Sequence, residues 1–228
     1  MRHNFVLNIL TLATLFLFTQ CAEDKPVEMP TAAETARAKP IAYTAPSKEG
    51  AVSYTITEGV VYWSAKKTLG QPHAGEIHVS NGEILVNGGQ PISGKITMDM
   101  NSIIVTNLTD AGEKRELESH LKHSDFFGVE KFPTGTFEFE EVIPNNTTPD
   151  FNWVVLGKLT LKGKTNSVNI PVRLKFDGDV LTAESPTFQI NRTHWGINFQ
   201  SSVIGTAKDK LIEDVVALSL RLKAAPQK

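Results

Sequence analysis

The chain contains 228 residues and carries a formal net charge of −2, from 23 Lys and Arg against 25 Asp and Glu. This near balance gives no support to nucleic-acid binding, which requires a basic surface. The only cysteine, Cys21, has no partner within the chain, so an internal disulfide is excluded.

The N-terminus predicts a secretory signal over residues 1–20. Arg2 precedes an almost unbroken apolar run from Phe5 to Phe18. That run is too short for a membrane-spanning helix, which needs roughly 20 residues. A basic start, a short apolar run and a small cleavage region are typical of bacterial secretion signals.

Cys21 follows this signal directly and resembles the lipid-acceptor cysteine of a bacterial lipoprotein, although Phe18 and Gln20 depart from the usual lipobox. The alternative is an ordinary secreted protein with an unmodified cysteine. Ala22 stands after the cysteine in place of Asp, which by analogy argues against retention at the inner membrane. We therefore expect a lipid anchor on the periplasmic side of a bacterial cell envelope, with the outer membrane favoured over the inner.

Residues 21–50 are predicted to hold the lipidated cysteine and a disordered tether. Four prolines lie between Pro26 and Pro46 without apolar periodicity, a composition that favours an extended spacer. Residues 51–225 form the folded body, whose size is normal for one all-β domain.

Alternation of apolar and polar residues dominates the body and predicts half-buried strands. It is clearest at 92–100, 153–161, 168–176 and 216–222, with shorter runs at 53–57, 60–66, 75–79, 82–87, 135–142 and 180–190. The dipeptides Asn81-Gly82 and Asp177-Gly178 favour tight hairpin turns. The strands are therefore antiparallel, in a sandwich or a closed barrel. Eight strands enclose a space that either side chains or one small ligand fill.

One helical interruption is predicted in this all-β pattern. Residues 113–123 are rich in Glu, Lys, Arg and Leu, which are good helix formers. Leu117 and Leu121 are four residues apart and would share a helix face. We expect one or two short helices near 112–127.

Three aromatic residues, Phe126, Phe127 and Phe132, lie in the short polar segment from His120 to Pro133. Aromatic carbon in such a connection favours closure over an apolar space. The alternative is that these rings only cap the core.

Three motifs carry a family resemblance: His120-Leu121-Lys122 with Asp125-Phe126-Phe127 and Val129–Pro133, then Gly157–Thr165, then Ile190–Ile197. Over about residues 51–224 the sequence is similar to the YceI-like family of polyisoprenoid-binding, lipocalin-like proteins. The resemblance implies an antiparallel, eight-stranded, lipocalin-like barrel that binds polyprenyl lipids or lipid-like amphiphiles. Asn191 departs from the Asp that the family often has before the arginine.

We therefore hypothesise that the barrel carries or sequesters an isoprenoid or fatty-acyl lipid. Arg192, Lys66, Lys67 and His73 are candidates for an anionic head group, because Arg and Lys suit phosphate. The candidate ligand-binding residues are Trp63, Ile96, Met98, Phe126, Phe127, Phe132, Phe137, Phe139, Leu159, Val172, Leu174, Arg192, Trp195 and Leu218.

No catalytic residues, cofactor or metal site are expected. His120 and His123 are only two possible ligands, whereas zinc needs three or four, and no reactive pair is evident. The expected partners are the lipid and the membrane, with a homodimer as an open alternative. The rival hypothesis is a non-enzymatic structural or interaction lipoprotein whose barrel is filled by side chains.

Overall fold

The computed structural model describes residues 46–148, 150–207 and 210–227. Residues 1–45 lie outside this range, and with them the predicted signal, Cys21 and most of the tether. Those three assignments therefore stay predictions.

The described chain contains ten strands and one α-helix. The strands are β1 (Val52–Lys66), β2 (Pro72–Asn87), β3 (Gln90–Asp99), β4 (Ile104–Val105), β5 (Thr134–Pro144), β6 (Trp153–Leu161), β7 (Lys164–Asp177), β8 (Val180–Glu184), β9 (Phe188–Asn191) and β10 (Val215–Pro226). The helix, α1, is Ala111–Lys122, and short 3₁₀ turns lie at Met100–Ser102, Arg192–Trp195 and Ser202–Ile204.

Eight of these strands close into an antiparallel barrel, as predicted. The order is β1-β10-β8-β7-β6-β5-β3-β2, and β2 pairs with β1 to complete the ring. The short strand β9 continues along β10 beyond the end of β8, and β4 pairs with the start of β2. Closure leaves no open edge among these eight strands, so their backbone groups pair within the sheet.

The prediction of a hairpin at Asn81-Gly82 is wrong, because these residues lie inside the continuous strand β2. The register with β3 shifts there between Val79 and Asn81, as in a β-bulge. A Cβ on Gly82 would fall 2.4 Å from Ile56 Cδ1. Glycine is therefore needed for close packing between strands. The turn at Asp177-Gly178 is confirmed, with Gly178 at φ +56.

The predicted helical segment is one helix, α1, followed by turns. Asp110 caps its N-terminus by accepting hydrogen bonds from Gly112 N and Glu113 N at 2.8 and 2.9 Å. Glu118 Oε1 accepts a hydrogen bond from Val105 N at 2.8 Å, which ties the helix to β4. Leu121 is buried on the face that meets the barrel.

The long connections lie at one end of the barrel, which we call the helix end. It holds the β1–β2 turn, the β3–β5 connection with α1, the β6–β7 turn and the β9–β10 connection. The opposite end holds the start of β1 and the β2–β3, β5–β6 and β7–β8 connections. Within the described ranges, no helix is both long and apolar enough to cross a bilayer.

Candidate functional site

A cavity lies inside the barrel, in the half nearer the helix end. The centre of a water-sized sphere can occupy about 130 Å³ of it, and its wall is apolar throughout. Its lining comes from strands, α1 and two loops: Val61, Trp63, Ala65, Ile77, Ile96, Met98, Leu121, Phe126, Phe127, Phe137, Leu159, Leu161, Ile170, Phe188, Ile190, Arg192, Ile197, Ile212, Val216, Leu218 and Leu220. Such a wall suits hydrocarbon and offers nothing to a charged group.

A second, smaller cavity of about 30 Å³ lies toward the opposite end. Both cavities are lined by Ile96, Phe137, Ile170 and Leu220, which therefore form the partition between them. The barrel is therefore hollow in the half nearer the helix end, and its other half is nearly filled by its own side chains.

The helix-end side of the cavity is covered by an aromatic cluster. Phe126 is buried. The centroid of its ring lies 5.0 Å from that of the His120 ring and 5.2 Å from that of the Phe199 ring. His120 also meets Phe199 edge-on at 4.7 Å. His120 Nε2 also lies 4.0 Å from Asp125 Oδ2. Phe127 is half-buried beside them and lines the cavity.

Arg192 lines the cavity with apolar atoms, while its guanidinium holds the loops of the helix end together. It is only 4% exposed. Its nitrogen atoms donate to the carbonyl oxygens of Ile197, Ile212 and Glu213 at 2.7–3.1 Å and to Asp214 Oδ1 at 3.3 Å. This placement does not support the predicted contact with a ligand head group, because the charge is already engaged by the protein.

Asp214 completes this arrangement. Burial alone would raise the pKa of its carboxyl, but hydrogen bonds from Ser201 and Ser202 and the charge of Arg192 hold the pKa below its usual value. Ser202 Oγ donates to Asp214 Oδ2 at 2.6 Å. The ionised carboxylate thus joins the 3₁₀ turn at Ser202–Ile204 to Arg192.

Most of the predicted ligand-binding residues line one of the two cavities. Those on the main cavity are Trp63, Ile96, Met98, Phe126, Phe127, Phe137, Leu159, Arg192 and Leu218. Phe139, Val172 and Leu174 line only the smaller one.

Phe132 and Trp195 line neither cavity, so the structure does not support them as ligand contacts. A Cβ on Gly163 would fall 2.6 Å from the Phe132 ring, which packs against the β6–β7 turn. Trp195 is 2% exposed and donates from Nε1 to the carbonyl oxygen of Leu159 at 2.9 Å. Trp195 is therefore bonded to the backbone of a wall residue, since Leu159 lines the main cavity.

Sequence reasoning missed 12 of the 21 residues that line the main cavity. The missed residues are Val61, Ala65, Ile77, Leu121, Leu161, Ile170, Phe188, Ile190, Ile197, Ile212, Val216 and Leu220. The alternation of side chains along strands could have identified several of them. Val61 and Ala65 lie on the same strand face as Trp63, and Val216 and Leu220 lie on the same face as Leu218.

The other head-group candidates lie at the helix end. Lys66 pairs with Glu213 at 3.3 Å, and Lys67 is exposed. His73 pairs in register with Ala65, which lines the cavity. In the described part of the chain, the buried atoms His73 Nδ1 and Trp63 Nε1 have no hydrogen-bond partner.

Comparison with known families agrees with this architecture. A family model described as the YceI-like domain matches residues 48–224. The chain belongs to the YceI-like domain family. A UPF0312 protein of Staphylococcus aureus is 34% identical over 108 residues, which is 45% of this chain and 57% of that relative. A UPF0312 protein of Pseudomonas aeruginosa is 33% identical over 105 residues, or 46% and 50% of the two chains. The aligned region thus spans about half the length of these YceI-like relatives.

Two solved structures share the fold of this YceI-like chain. BcnA of Burkholderia cenocepacia has a TM-score of 0.57 at 22% identity, covering 73% of this chain and 96% of BcnA. A polyisoprenoid binding domain from Saccharophagus degradans has a TM-score of 0.55 at 9% identity, covering 77% and 99% of the two chains. At these identities the likeness concerns the fold.

Proposed function

We propose that the barrel binds the hydrocarbon tail of an isoprenoid or other long-chain lipid amphiphile, and so carries or sequesters that lipid. The observation that carries this proposal is the main cavity, which is enclosed by the barrel and apolar over its whole wall. An apolar cavity of this kind is the usual form of a small-molecule site. The rival, a barrel filled by its own side chains, fits only the half that holds the smaller cavity.

The size of the main cavity sets the length of tail that fits without rearrangement. One water-sized group needs about 10–15 Å³ of such volume, so the cavity has room for on the order of ten methylenes. Their burial contributes about 0.8 kcal/mol each, or roughly 8 kcal/mol in all. Association costs at least about 4 kcal/mol of that. A longer tail would have to displace the Phe137 partition and enter the second cavity.

The polar head of the lipid would lie outside the apolar wall, at the helix end. Lys66 and Lys67 lie next to Ala65, which lines the cavity there. Arg192 is not proposed as a head-group ligand, because its donors bind protein oxygens. The likeness in fold to a polyisoprenoid binding domain supports a lipid ligand without identifying it.

We further propose that the protein acts without catalysis, tethered to the periplasmic side of the cell envelope by lipid on Cys21, with the outer membrane favoured. The basic start, the apolar run and the position of Cys21 support the anchor. Cys21→Ser tests it: the variant should lose incorporation of a radiolabelled fatty acid. Equal labelling of both proteins would contradict the anchor.

Native mass spectrometry of the protein extracted from membranes tests the lipid proposal. We expect a population that carries a lipid adduct, and displacement of a fluorescent fatty acid by the extracted lipid. Protein without adduct that also fails to take up the probe would contradict the proposal. Lipids extracted from the same preparation would identify the head group.

A further inference from the structure

Three aliphatic side chains project into solvent at the helix end. Leu69, in the β1–β2 turn, is 62% exposed, while Val203 and Ile204, in one 3₁₀ turn, are 67% and 59% exposed. Single exposed apolar residues are ordinary on protein surfaces, but a group of them at one place indicates an interaction site. We call these three residues the apolar rim.

The two turns of the apolar rim are joined through one intervening segment. Thr68 N donates to Leu211 O at 2.9 Å, and Lys67 forms a β-bridge with Ile212. On its other side, Ile212 N donates to Gln200 O at 2.8 Å. The three short segments therefore lie side by side, and Ser202 is held by its bond to Asp214. These backbone bonds hold the two turns of the apolar rim side by side at the helix end.

Charge differs between the hairpin turns at the two ends of the barrel, while the connection that contains α1, also at the helix end, carries exposed acids at Glu113, Glu116, Asp125 and Glu130. The two hairpin turns at the helix end bring four lysines: Lys66 and Lys67, and Lys162 and Lys164. Lys67 and Lys164 are exposed, whereas Lys162 is half-buried and donates from Nζ to the carbonyl oxygen of Ser124 at 2.8 Å. Between them these turns hold no acidic residue, and Glu213 is the acid that pairs with Lys66. The β7–β8 turn at the opposite end instead carries Asp177 and Asp179, both exposed.

The apolar rim also adjoins the main cavity. Ala65 and Ile212 both line the cavity. Ala65 lies four residues before Leu69 in the sequence, and Ile212 forms the β-bridge with Lys67. A molecule that leaves the cavity at the helix end would therefore emerge beside Leu69 and the lysines.

We propose that the helix end docks on an anionic lipid bilayer, with Leu69, Val203 and Ile204 inserted at its interface and Lys67 and Lys164 among the head groups. Apolar side chains combined with Lys or Arg are what interfacial membrane binding requires, and each cation near an anionic surface strengthens it. Lysine is depleted at protein–protein interfaces, so this composition favours a bilayer over a protein partner. The role of this docking, which is exchange of the cavity lipid with the membrane, rests on the proposed function. The docking itself does not.

A lipid anchor on Cys21 is compatible with this orientation. The chain enters β1 at the opposite end, and 30 residues separate Cys21 from Val52. Thirty residues reach at most about 100 Å. The 15 residues of β1 rise only about 50 Å. The helix end could therefore face the membrane that holds the anchor.

Site-specific fluorescence in vesicles tests the docking. In the full chain with Cys21→Ser, a bimane label is attached either to Ile204→Cys or, as the matched control, to Val180→Cys. Val180 is an exposed valine at the opposite end, 38% exposed. Vesicles of phosphatidylcholine and phosphatidylglycerol carry a spin-labelled lipid that quenches bimane. Both proteins keep the same N-terminal segment, so only the labelled site differs.

We expect the label at 204 to shift its emission to the blue and to be quenched, while the label at 180 keeps its emission in water. Adding Lys67→Glu and Lys164→Glu should reduce the quenching at 204, as should omission of phosphatidylglycerol. Equal quenching at both sites, no quenching at 204, or a blue shift at 204 that depends on protein concentration without vesicles would overturn the proposal. The last outcome would indicate a second copy as the occupant.

Uptake of a fluorescent fatty acid by the same labelled proteins, measured without vesicles, separates the two proposals. Loss of insertion with normal uptake would overturn docking and leave the proposed function standing. Insertion of the label at 204 without uptake of the fatty acid would leave docking standing and contradict the proposed function.

Discussion

The ring of Phe137 on β5 lies against the backbone of Gly157 on the neighbouring strand β6. The two residues are offset in the ladder, since Phe137 pairs with Leu159 and Gly157 with Phe139. A Cβ on Gly157 would fall 2.3 Å from Phe137 Cζ and 2.8 Å from the carbonyl oxygen of Glu138. The missing side chain therefore lets Phe137 lie close to the barrel wall, where it separates the two cavities.

Gly157→Ala should move Phe137 into the barrel interior and reduce the main cavity. Overpacking of a close-packed core costs about 1–3 kcal/mol of the free energy of unfolding, and the affinity for a fluorescent fatty acid should fall. Urea unfolding and probe titration measure the two effects.

Gly94→Ala is the matched control, because its Cβ would fall 2.7 Å from the Phe139 ring, which lines only the smaller cavity. It should lose stability to a similar degree and keep its probe affinity. Equal loss of affinity in both variants would mean that the partition has no special role.

Arg192→Lys tests whether this arginine stabilises the fold. A lysine cannot reproduce the hydrogen bonds to Ile197, Ile212 and Glu213, so buried carbonyl oxygens lose their donors. We expect a loss of at least about 2 kcal/mol in the free energy of unfolding. Arg221→Lys is the control, because its salt bridge to Glu184 is exposed and such pairs contribute about 0–1 kcal/mol.

The structural role of Arg192 would be contradicted if Arg192→Lys unfolded like the wild type. A loss of affinity confined to anionic probes would then return this residue to the head-group role predicted from sequence.

Stability should fall in acid through Asp214. The pKa of its carboxyl in the folded protein lies below the ordinary value of 3.8. The ionised group therefore contributes stability above the pKa of the unfolded chain, and this contribution is lost as the pH falls through the lower folded-state pKa. Asp214→Asn should flatten this part of the urea-midpoint profile, whereas Asp177→Asn at the exposed β7–β8 turn should leave it unchanged. Parallel profiles for wild type and Asp214→Asn would refute the assignment.

Phe126 and Phe127 should differ in their effects. Phe126 is 7% exposed and packs against two rings, so Phe126→Ala should cost about 3–5 kcal/mol. Phe127 is only half-buried on the cavity wall. Phe127→Ala should therefore cost less and speed the release of bound probe, as measured by stopped-flow dilution. A large stability loss in Phe127→Ala with unchanged release would instead favour a plug that seals the core.

Much of the barrel could be predicted from the sequence, because an alternating strand reports directly which side chains share a face. Ile96, Met98 and Leu218 were placed on the wall in this way, and all three line the main cavity. The division into two cavities could not be predicted, since it depends on how the Phe137 ring meets Gly157 across strands. The same holds for Gly82, whose Asn-Gly signal indicates a turn locally while packing against Ile56 keeps the strand continuous.

The roles of Arg192 and Trp195 were also beyond sequence reasoning. Both residue types suit a ligand site and a buried structural site equally well. The partners that decide between these, Ile212 and Asp214 for Arg192 and Leu159 for Trp195, lie at least 20 residues away along the chain. Only the folded chain brings them together.

Tryptophan quenching tests most directly whether a lipid tail enters the barrel. The chain has three tryptophans, and among them only Trp63 lines the main cavity. A fatty acid brominated in mid-tail should quench the emission of the wild type on binding, and Trp63→Phe should abolish that part of the quenching while retaining the fold. Quenching of equal size in both proteins, or none in either, would contradict a ligand inside the barrel.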